Sequence, residues 1–331
     1  MKRLDFISAI ELAYAREADD AAWLEELTRF VAPAFSGGSP TTSYLFDLHE
    51  EDVQLGFAAS VGEPPYSREH YASSHEVGHA TTGRAKRVIY ECEVFTLLSR
   101  VIGAGMTKRM IQAAGMSGDD ALGLRANATP DSGVLVTTQV SAGFRIKNRT
   151  LWTRFAAHVG AALRLRRKRR EPSPNTALAV LDPRGRLEHG TAETIAARHD
   201  LAGAAQDMDR ARGKLRRLDP ERASALWRTM VRGEWSLVDW FDHDGKRFLL
   251  AHDNQIPVTR RRSLSDRERQ VVAHAAMSHS NKLIAYDLGL STGTVAVILG
   301  RAAKKLGVSG RVALIRAFRE NELQREGGHN E

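Results

Sequence analysis

The last fifth of the chain carries a periodic apolar pattern that predicts short helices. Ser265 and Glu268 stand three residues apart, as in a capping box, where each side chain satisfies a backbone N–H at a helix start. The apolar residues that follow recur at helical spacing, namely Val271, Val272, Ala275 and Ala276. This arrangement predicts a helix with one apolar face.

Two more helices are predicted on either side of a tight turn. Ser280 is placed to cap a helix over residues 281–288, and Gly289 falls where a left-handed residue ends a helix. Ser291 then caps a third helix that reaches about residue 306. Small domains use such a helix-turn-helix to place one helix in the major groove of DNA.

A fourth helix completes this segment. Gly307 closes the third helix, and Ser309 opens the next, which runs through residue 318. The apolar positions suffice for one small core, which we predict to contain Leu264, Val271, Leu283, Ile284, Leu288, Leu290, Val295, Leu299, Leu306 and Val308. An ordinary four-helix cap on a larger domain is the alternative to a helix-turn-helix.

Five stretches of this segment carry a resemblance to a known family. They are LSDRERQV at 264–271, SNKLIA at 280–285, LGLST at 288–292, TV at 294–295 and KLGVSGR at 305–311. The segment closely resembles the LuxR-type helix-turn-helix family of bacterial transcription regulators. The resemblance implies a DNA-binding domain whose fourth helix pairs two copies, so we expect dimer contacts from Val312, Leu314, Ile315 and Phe318.

The third helix departs from this family at positions where Lys, Arg or His side chains often contact the DNA. Ala296, Val297 and Gly300 occupy its centre, and they can touch a thymine methyl but cannot form bidentate contacts with a base. The resemblance assigns phosphates to Lys282, Thr292, Thr294, Lys304 and Lys305, and a base edge to Arg301. The whole predicted DNA-binding set is Lys282, Thr292, Thr294, Val295, Ala296, Val297, Arg301, Lys304 and Lys305.

The N-terminal half of the chain shows a mixed pattern of helices and strands. Apolar spacing predicts one or two opening helices, then strands over 41–48 and 53–60, a helix over 96–114, strands over 121–126 and 134–140, and a helix over 147–170. This α+β order resembles a GAF-type sensor domain. A phosphoacceptor receiver domain is disfavoured, because the chain opens with helical patterns where a receiver needs a strand followed by an acidic pair.

Strands at both ends and helices between them are predicted for the middle region. Strands over 176–181 and 186–189 flank the turn sequence DPRG, a helical stretch covers 192–230, and a second hairpin covers 235–252. This order resembles a PAS-like domain. We read its histidines as surface residues rather than ligands of a metal or haem, namely His189, His243 and His252.

Two basic segments flank the middle region. Residues 164–170 end the long helix with a run of arginines and a lysine, for which we expect a solvated helix end rather than a DNA contact. The prediction is a multidomain chain: a GAF-like α+β domain at 1–170, a small PAS-like α+β domain at 175–255, a basic linker at 256–262, an all-α four-helix helix-turn-helix domain at 263–320 and a tail at 321–331.

The composition of the chain limits the classes of binding partner and the cellular location. The net charge of +8 favours a polyanion, and no apolar run is long enough to cross a bilayer. The single cysteine, Cys92, cannot form an intrachain disulfide, and we read it as a small strand residue. We therefore expect a cytoplasmic protein that has no membrane association.

One motif points to a different chemistry. His75, Glu76 and His79 match H-E-x-x-H, the helical zinc site of metalloproteases. The flanking residues are poor helix formers, and the expected third histidine is missing, so a zinc hydrolase is a remote alternative. We predict no enzyme activity, no cofactor and no metal.

The sequence thus predicts a transcription regulator in which sensor domains are coupled to a helix-turn-helix that binds double-stranded promoter DNA as a homodimer. RNA polymerase and a small-molecule ligand are further candidate partners. A ligand pocket would be lined by aromatic residues, and the candidates are Tyr44, Phe46, Phe57, Tyr66, Tyr71 and Phe95. The alternative interpretation is that these residues belong to the hydrophobic core. The alternative function is a protein-interaction regulator with weak or non-specific DNA binding.

Overall fold

The structure is a computed structural model. It describes residues 4–15, 19–48, 53–62, 94–113, 118–130, 132–141, 144–168, 173–227, 235–254 and 264–326. The chain divides into two compact units, Met1–Gly160 and Ala161–Glu331.

The first unit contains helices and one antiparallel sheet. Its elements are α1 (Phe6–Tyr14), α2 (Asp20–Phe35), β1 (Thr41–Leu48), β2 (Val53–Val61), β3 (Phe95–Leu97), α3 (Leu98–Ile102), α4 (Ala104–Ala113), β4 (Asp120–Thr129) and β5 (Ser132–Val140). A long helix, α5 (Arg149–Arg167), runs across the division between the units. The two opening helices begin at aspartate caps, Asp5 and Asp19, whose carboxylates accept backbone N–H groups.

The sheet has the strand order β2-β1-β5-β4-β3, and every neighbouring pair is antiparallel. Buried aromatic rings on α5 pack against the opening helices, with the Trp152 ring centroid 5.0 Å from Phe6 and 5.2 Å from Phe35. Gly160 on α5 allows close approach to the sheet, because a Cβ there would lie 2.1 Å from the carbonyl oxygen of Asn127. The hydrophobic core of this unit therefore lies between helices and sheet.

Most predicted elements of this unit are confirmed, including the opening helices, the strand pair and the long helix. The helix predicted over 96–114 is partly wrong. Its first residues form β3, which pairs with residues 122–124 of β4, and Gly103 with φ 84° separates α3 from α4. The ladder to β4 is a long-range contact that helical spacing does not reveal.

The aromatic residues considered for a pocket divide into three groups. Tyr44, Phe46 and Phe95 are buried, whereas Phe57 is 57% exposed. Tyr66 and Tyr71 lie outside the described residues, as do Cys92 and the H-E-x-x-H motif. The three buried rings are therefore core residues of this unit.

The second unit begins with a smaller α+β part. It contains β6 (Ala179–Leu181), β7 (Leu187–Gly190), α6 (Ala192–Ala196), α7 (Arg198–Arg210), a π-helical turn (Ala211–Leu215), α8 (Arg216–Leu218), α9 (Pro220–Leu226), β8 (Trp235–Phe241) and β9 (Arg247–Asp253). The sheet order is β7-β6-β9-β8, antiparallel throughout. Both predicted hairpins are confirmed, and each turn closes with a glycine N–H that donates to an aspartate carbonyl, Gly185 to Asp182 and Gly245 to Asp242.

The start of the basic run is not a solvated helix end, contrary to prediction. Arg164 is only 5% exposed, and its Nε donates to Asn254 Oδ1 at 2.9 Å. Lys168 pairs with Asp253 at 2.6 Å. Tertiary contacts therefore engage these two cations, which the helix pattern alone predicts to be exposed to solvent.

Of the three histidines read as surface residues, two are exposed and one is buried. His189 and His243 are exposed, as predicted, whereas His252 on β9 is 9% exposed and lies in the sheet. The prediction is therefore wrong for His252, because β9 is an inner strand of the four-stranded sheet.

Four helices end the chain: α10 (Asp266–Ala276), α11 (Asn281–Leu288), α12 (Thr292–Lys305) and α13 (Arg311–Glu326). All ten predicted core residues are buried or partly buried, and Phe318 and Leu314 of α13 join them. Within the described residues, no single helix is both long and apolar enough to cross a membrane, and α11 with α12 passes that test only as a pair bent by 105°.

Candidate nucleic-acid interface

The first helix of the C-terminal domain is fixed by its predicted capping box. The Ser265 hydroxyl accepts the Glu268 backbone N–H at 3.2 Å, and Glu268 Oε2 accepts the Ser265 N–H at 2.7 Å. The same carboxylate also accepts a hydrogen bond from Lys305 on α12, at 2.7 Å. Glu268 therefore joins the start of α10 to the end of α12.

The turn between α11 and α12 has the predicted geometry. Gly289 adopts φ 64° and ψ 33°, and its N–H donates to the Ala285 carbonyl. Ser291 caps α12 by accepting the Thr294 N–H at 3.0 Å. The two helices meet at 105°, within the range of helix-turn-helix units. The α11–turn–α12 unit is therefore a helix-turn-helix.

One face of α12 packs on the core and the other faces solvent. The buried face consists of Val295, Ile298, Leu299 and Ala302. Val295 is 0% exposed, so its side chain cannot reach a base, and the predicted DNA-binding set loses this member. The exposed face consists of Thr292, Thr294, Ala296, Val297, Gly300, Arg301, Lys304 and Lys305.

The centre of the exposed face carries small or apolar residues. Val297 is 53% exposed, and a Cβ added at Gly300 would meet no other atom within 4 Å. Small side chains and open space at these positions permit a close approach of a groove wall or a thymine methyl. The structure thus places the departure from the family pattern on the exposed surface.

Exposed cations occur on both helices of the helix-turn-helix. Lys282 on α11 and Arg301 and Lys304 on α12 are exposed, and none pairs with an acidic residue in the described part of the chain. Lys305 differs, because its ammonium is held by Glu268. Burial tends to raise the pKa of Glu268, but the hydrogen bonds from Lys305 and Ser265 lower it below its ordinary value. Of the four predicted cationic contacts, Lys282, Arg301 and Lys304 are therefore exposed without an ion pair to the described residues, and Lys305 is paired.

The fourth helix uses most of its predicted dimer residues for its own domain. Leu314 is 1% exposed and Phe318 is 4% exposed, both within the four-helix core. Ile315 packs partly against the same core, whereas Val312 is 75% exposed. Of the four residues, Val312 alone presents a fully exposed apolar side chain.

A contact with the middle region was missed by sequence reasoning. The Tyr286 hydroxyl on α11 donates to the carbonyl oxygen of Ser224 at 2.6 Å and also contacts the Trp227 carbonyl. The Trp227 ring in turn lies 4.6 Å from the Arg212 guanidinium carbon. Tyr286 fits an ordinary helical pattern, and only the tertiary structure shows that it joins the helix-turn-helix to α9.

One group of potential metal ligands occurs among the described residues. His274, His279 and Asp287 place one ligand atom each within 4.8 Å of one another, inside the C-terminal domain. All three are buried and none lies on the exposed face of α12. The sequence alone predicts no metal, and its spacing does not connect these three residues.

Residues 262–318 match the family model described as bacterial regulatory proteins, luxR family. This segment is a LuxR-type helix-turn-helix domain, and the chain thus carries the DNA-binding domain of a family of transcription regulators. The match does not extend to either sheet-containing region. The comparison with curated proteins found no match.

Proposed function

We propose that this protein is a sensor-coupled transcription regulator whose α12 enters the major groove of promoter DNA. The observation that supports the proposal most directly is the exposed face of α12, where Arg301 and Lys304 follow the apolar centre and make no ion pair with the described residues. Arg301 would contact a base edge, and Lys304, with Lys282 from α11, would contact phosphates.

Recognition of the DNA sequence by the exposed face of α12 would depend less on hydrogen bonds to bases than is usual. Ala296 and Val297 offer methyl groups, and Gly300 offers open space. Such a surface discriminates through thymine methyl contacts and through the shape of the groove. The operator should therefore contain thymine at the positions that face these two side chains.

The remaining regions would supply the signal. The element order of the first unit supports a GAF-like sensor domain, and the two hairpins flanking helices support a PAS-like middle domain. Tyr286 gives the middle region a direct contact with the helix-turn-helix. A change in α9 would thereby alter the placement of α11.

Pairing of two copies would place two α12 helices on half-sites about one turn of DNA apart. Val312 is the exposed apolar residue on the fourth helix that supports such a contact. The homodimer, a small-molecule ligand and contact with RNA polymerase are parts of this proposal.

A binding titration of the full chain on genomic fragments and on random duplexes of equal length tests the proposal. We expect some fragments to bind at least 1,000-fold above random DNA, roughly the lower bound for specific regulators. Arg301→Ala should reduce this ratio, whereas Arg184→Ala, which removes an exposed arginine from a hairpin turn of the middle region, should not. Equal binding to every fragment would refute specific regulation.

Ala296, Val297 and Gly300 favour a second candidate, a protein-interaction regulator that has lost base reading. In that case genomic and random DNA would bind equally weakly, and Arg301→Ala would weaken both to the same degree. The same titration therefore separates the two functions.

A further inference from the structure

Three buried polar side chains converge inside the helix-turn-helix domain. His274 lies in the last turn of α10, His279 in the connection to α11, and Asp287 in the last turn of α11. Their side chains are 1%, 5% and 3% exposed. The core of the same domain consists of apolar residues, so three converging polar side chains there call for an explanation.

The connection between the helices brings the two imidazoles together. Ser278 adopts a left-handed conformation with φ 62°, and its N–H donates to the Ala275 carbonyl at 3.0 Å. The chain reverses there, and the two histidine rings lie 5.4 Å apart between centroids. Nδ1 of each ring consequently points toward the same carboxylate oxygen.

The three ligand atoms form a nearly equilateral triangle. The two Nδ1 atoms are 3.3 Å apart, and Asp287 Oδ2 lies 3.4 Å from Nδ1 of His274 and 3.2 Å from Nδ1 of His279. Zinc binds histidine nitrogen and carboxylate oxygen at about 2.0–2.1 Å, which gives a tetrahedron with edges of about 3.3–3.4 Å. The triangle therefore has the size of one face of a zinc tetrahedron.

Hydrogen bonding alone explains this arrangement less well. Charge-assisted N–H to carboxylate bonds are typically about 2.7–2.9 Å long, shorter than either His–Asp separation. Asp287 Oδ1 is also buried without a hydrogen-bond partner among the described residues. In addition, Asp287 lies near a helix C-terminus, where the dipole disfavours a carboxylate.

The residue types suit a metal ligand set. Imidazole nitrogens and a carboxylate oxygen are ligands that zinc uses in proteins.

We propose that His274, His279 and Asp287 bind a divalent transition metal ion, zinc by its tetrahedral geometry, through Nδ1, Nδ1 and Oδ2. The fourth position would be filled by Asp287 Oδ1 or by water. The site would tie α10 to α11 and so stabilise the scaffold that carries α12. Its three residues are not those of the H-E-x-x-H motif, which lies outside the described residues.

The test is a titration of the full-length, chelator-treated protein with zinc alone, followed by elemental analysis after gel filtration. We expect one equivalent of zinc and raised thermal stability of the C-terminal domain. Substitution by cobalt(II) should give the visible absorption of a tetrahedral site. A chelator-treated wild-type protein that takes up no zinc overturns the proposal without reference to any variant.

Variants locate the ion. Asp287→Asn keeps the side-chain shape and should weaken zinc binding by more than about 100-fold, since loss of a metal's outer partners alone costs 10- to 100-fold. His279→Leu, which replaces a buried ligand by an apolar residue of similar size, should lose the ion and keep helical circular dichroism. The controls are His243→Ala, at an 89% exposed histidine, and His79→Ala, both expected to retain one equivalent.

Zinc retained in both Asp287→Asn and His279→Leu but lost in His79→Ala would assign the metal to the H-E-x-x-H motif instead. Because zinc is measured in the absence of DNA, this result is independent of whether the protein recognises an operator.

Discussion

Lys304 and Lys305 are adjacent lysines on α12 that should contribute very differently to DNA binding. Lys304 is exposed and makes no ion pair with the described residues, whereas the Lys305 ammonium lies 2.7 Å from Glu268 Oε2. A lysine free to neutralise a phosphate releases a condensed counterion, and one that is already neutralised by a carboxylate releases less. The pair is thus a matched comparison within one helix.

The magnitude follows from counterion release. Each phosphate neutralised contributes about 0.9 to the slope of log affinity against log salt, so one contact weakens binding about 3.5-fold between 50 and 200 mM salt. Lys304→Ala should lower this slope by about 0.9 for each domain, or about 1.8 for a dimer. The loss should be similar on operator and random DNA, because phosphate contacts carry no sequence information.

Lys305→Ala should act mainly on stability. It removes the ion-pair partner of a carboxylate whose side chain is 9% exposed, at a cost of about 1 kcal/mol or less, because the lysine itself is 45% exposed. Fluorescence anisotropy across a salt series measures the slopes, and hydrogen exchange of the C-terminal helices measures the stability. Equal slopes for the two variants would refute the reasoning from ion pairing.

Three further expectations concern the same domain. Gly289→Ala should destabilise the domain by about 1–2 kcal/mol, because φ at Gly289 is 64°. Gly300→Ala should stabilise it by up to about 1 kcal/mol, because a Cβ at this position meets open space. Hydrogen exchange compares the two variants, and equal effects would contradict the argument. The pKa of Glu268 is lower in the folded state than its ordinary value of 4.5. Its ionised carboxylate therefore adds to the free energy of unfolding above that pH, and this stabilisation is lost as the pH falls. Glu268→Gln should reduce the loss of hydrogen-exchange protection in acid, and an unchanged acid profile would count against this reasoning. Tyr286→Phe removes the hydroxyl whose single hydrogen is shared between the Ser224 and Trp227 carbonyls, so we expect the protection of α11 against hydrogen exchange to fall by about 0.5–1.5 kcal/mol and the DNA affinity of the full chain to change. Unchanged exchange and affinity would argue against coupling through this contact.

Local signals predicted the helix-turn-helix well. The serine caps at Ser265, Ser280 and Ser291 and the glycine at Gly289 act within one turn of the chain, so their effect is readable from neighbouring residues. The matching family model, over residues 262–318, confirms the class of domain. Identification of the domain therefore required no tertiary information.

Predictions from the sequence were wrong where a contact with a residue distant along the chain determined the structure. Residues 95–97 became a strand because β4 offers its edge, and Arg164 is buried because Asn254 accepts its hydrogen bond. Leu314 and Phe318 entered the core of their own domain, although the family resemblance assigned them to a dimer contact. Helical spacing shows that a residue is apolar on one face, but it does not show which surface covers that face.

The sequence by itself determined the helices, the turn and the DNA-binding class of the C-terminal domain, because caps and glycine conformations are local properties of the chain. Only the tertiary structure decided which side chains of that domain are available and which are engaged. It separates Lys304 from Lys305 by one ion pair, removes Val295 from the exposed face, and brings His274, His279 and Asp287 together within 4.8 Å. The reason is that charge pairing, burial and ligand geometry depend on residues that are distant along the chain and meet only in the folded core.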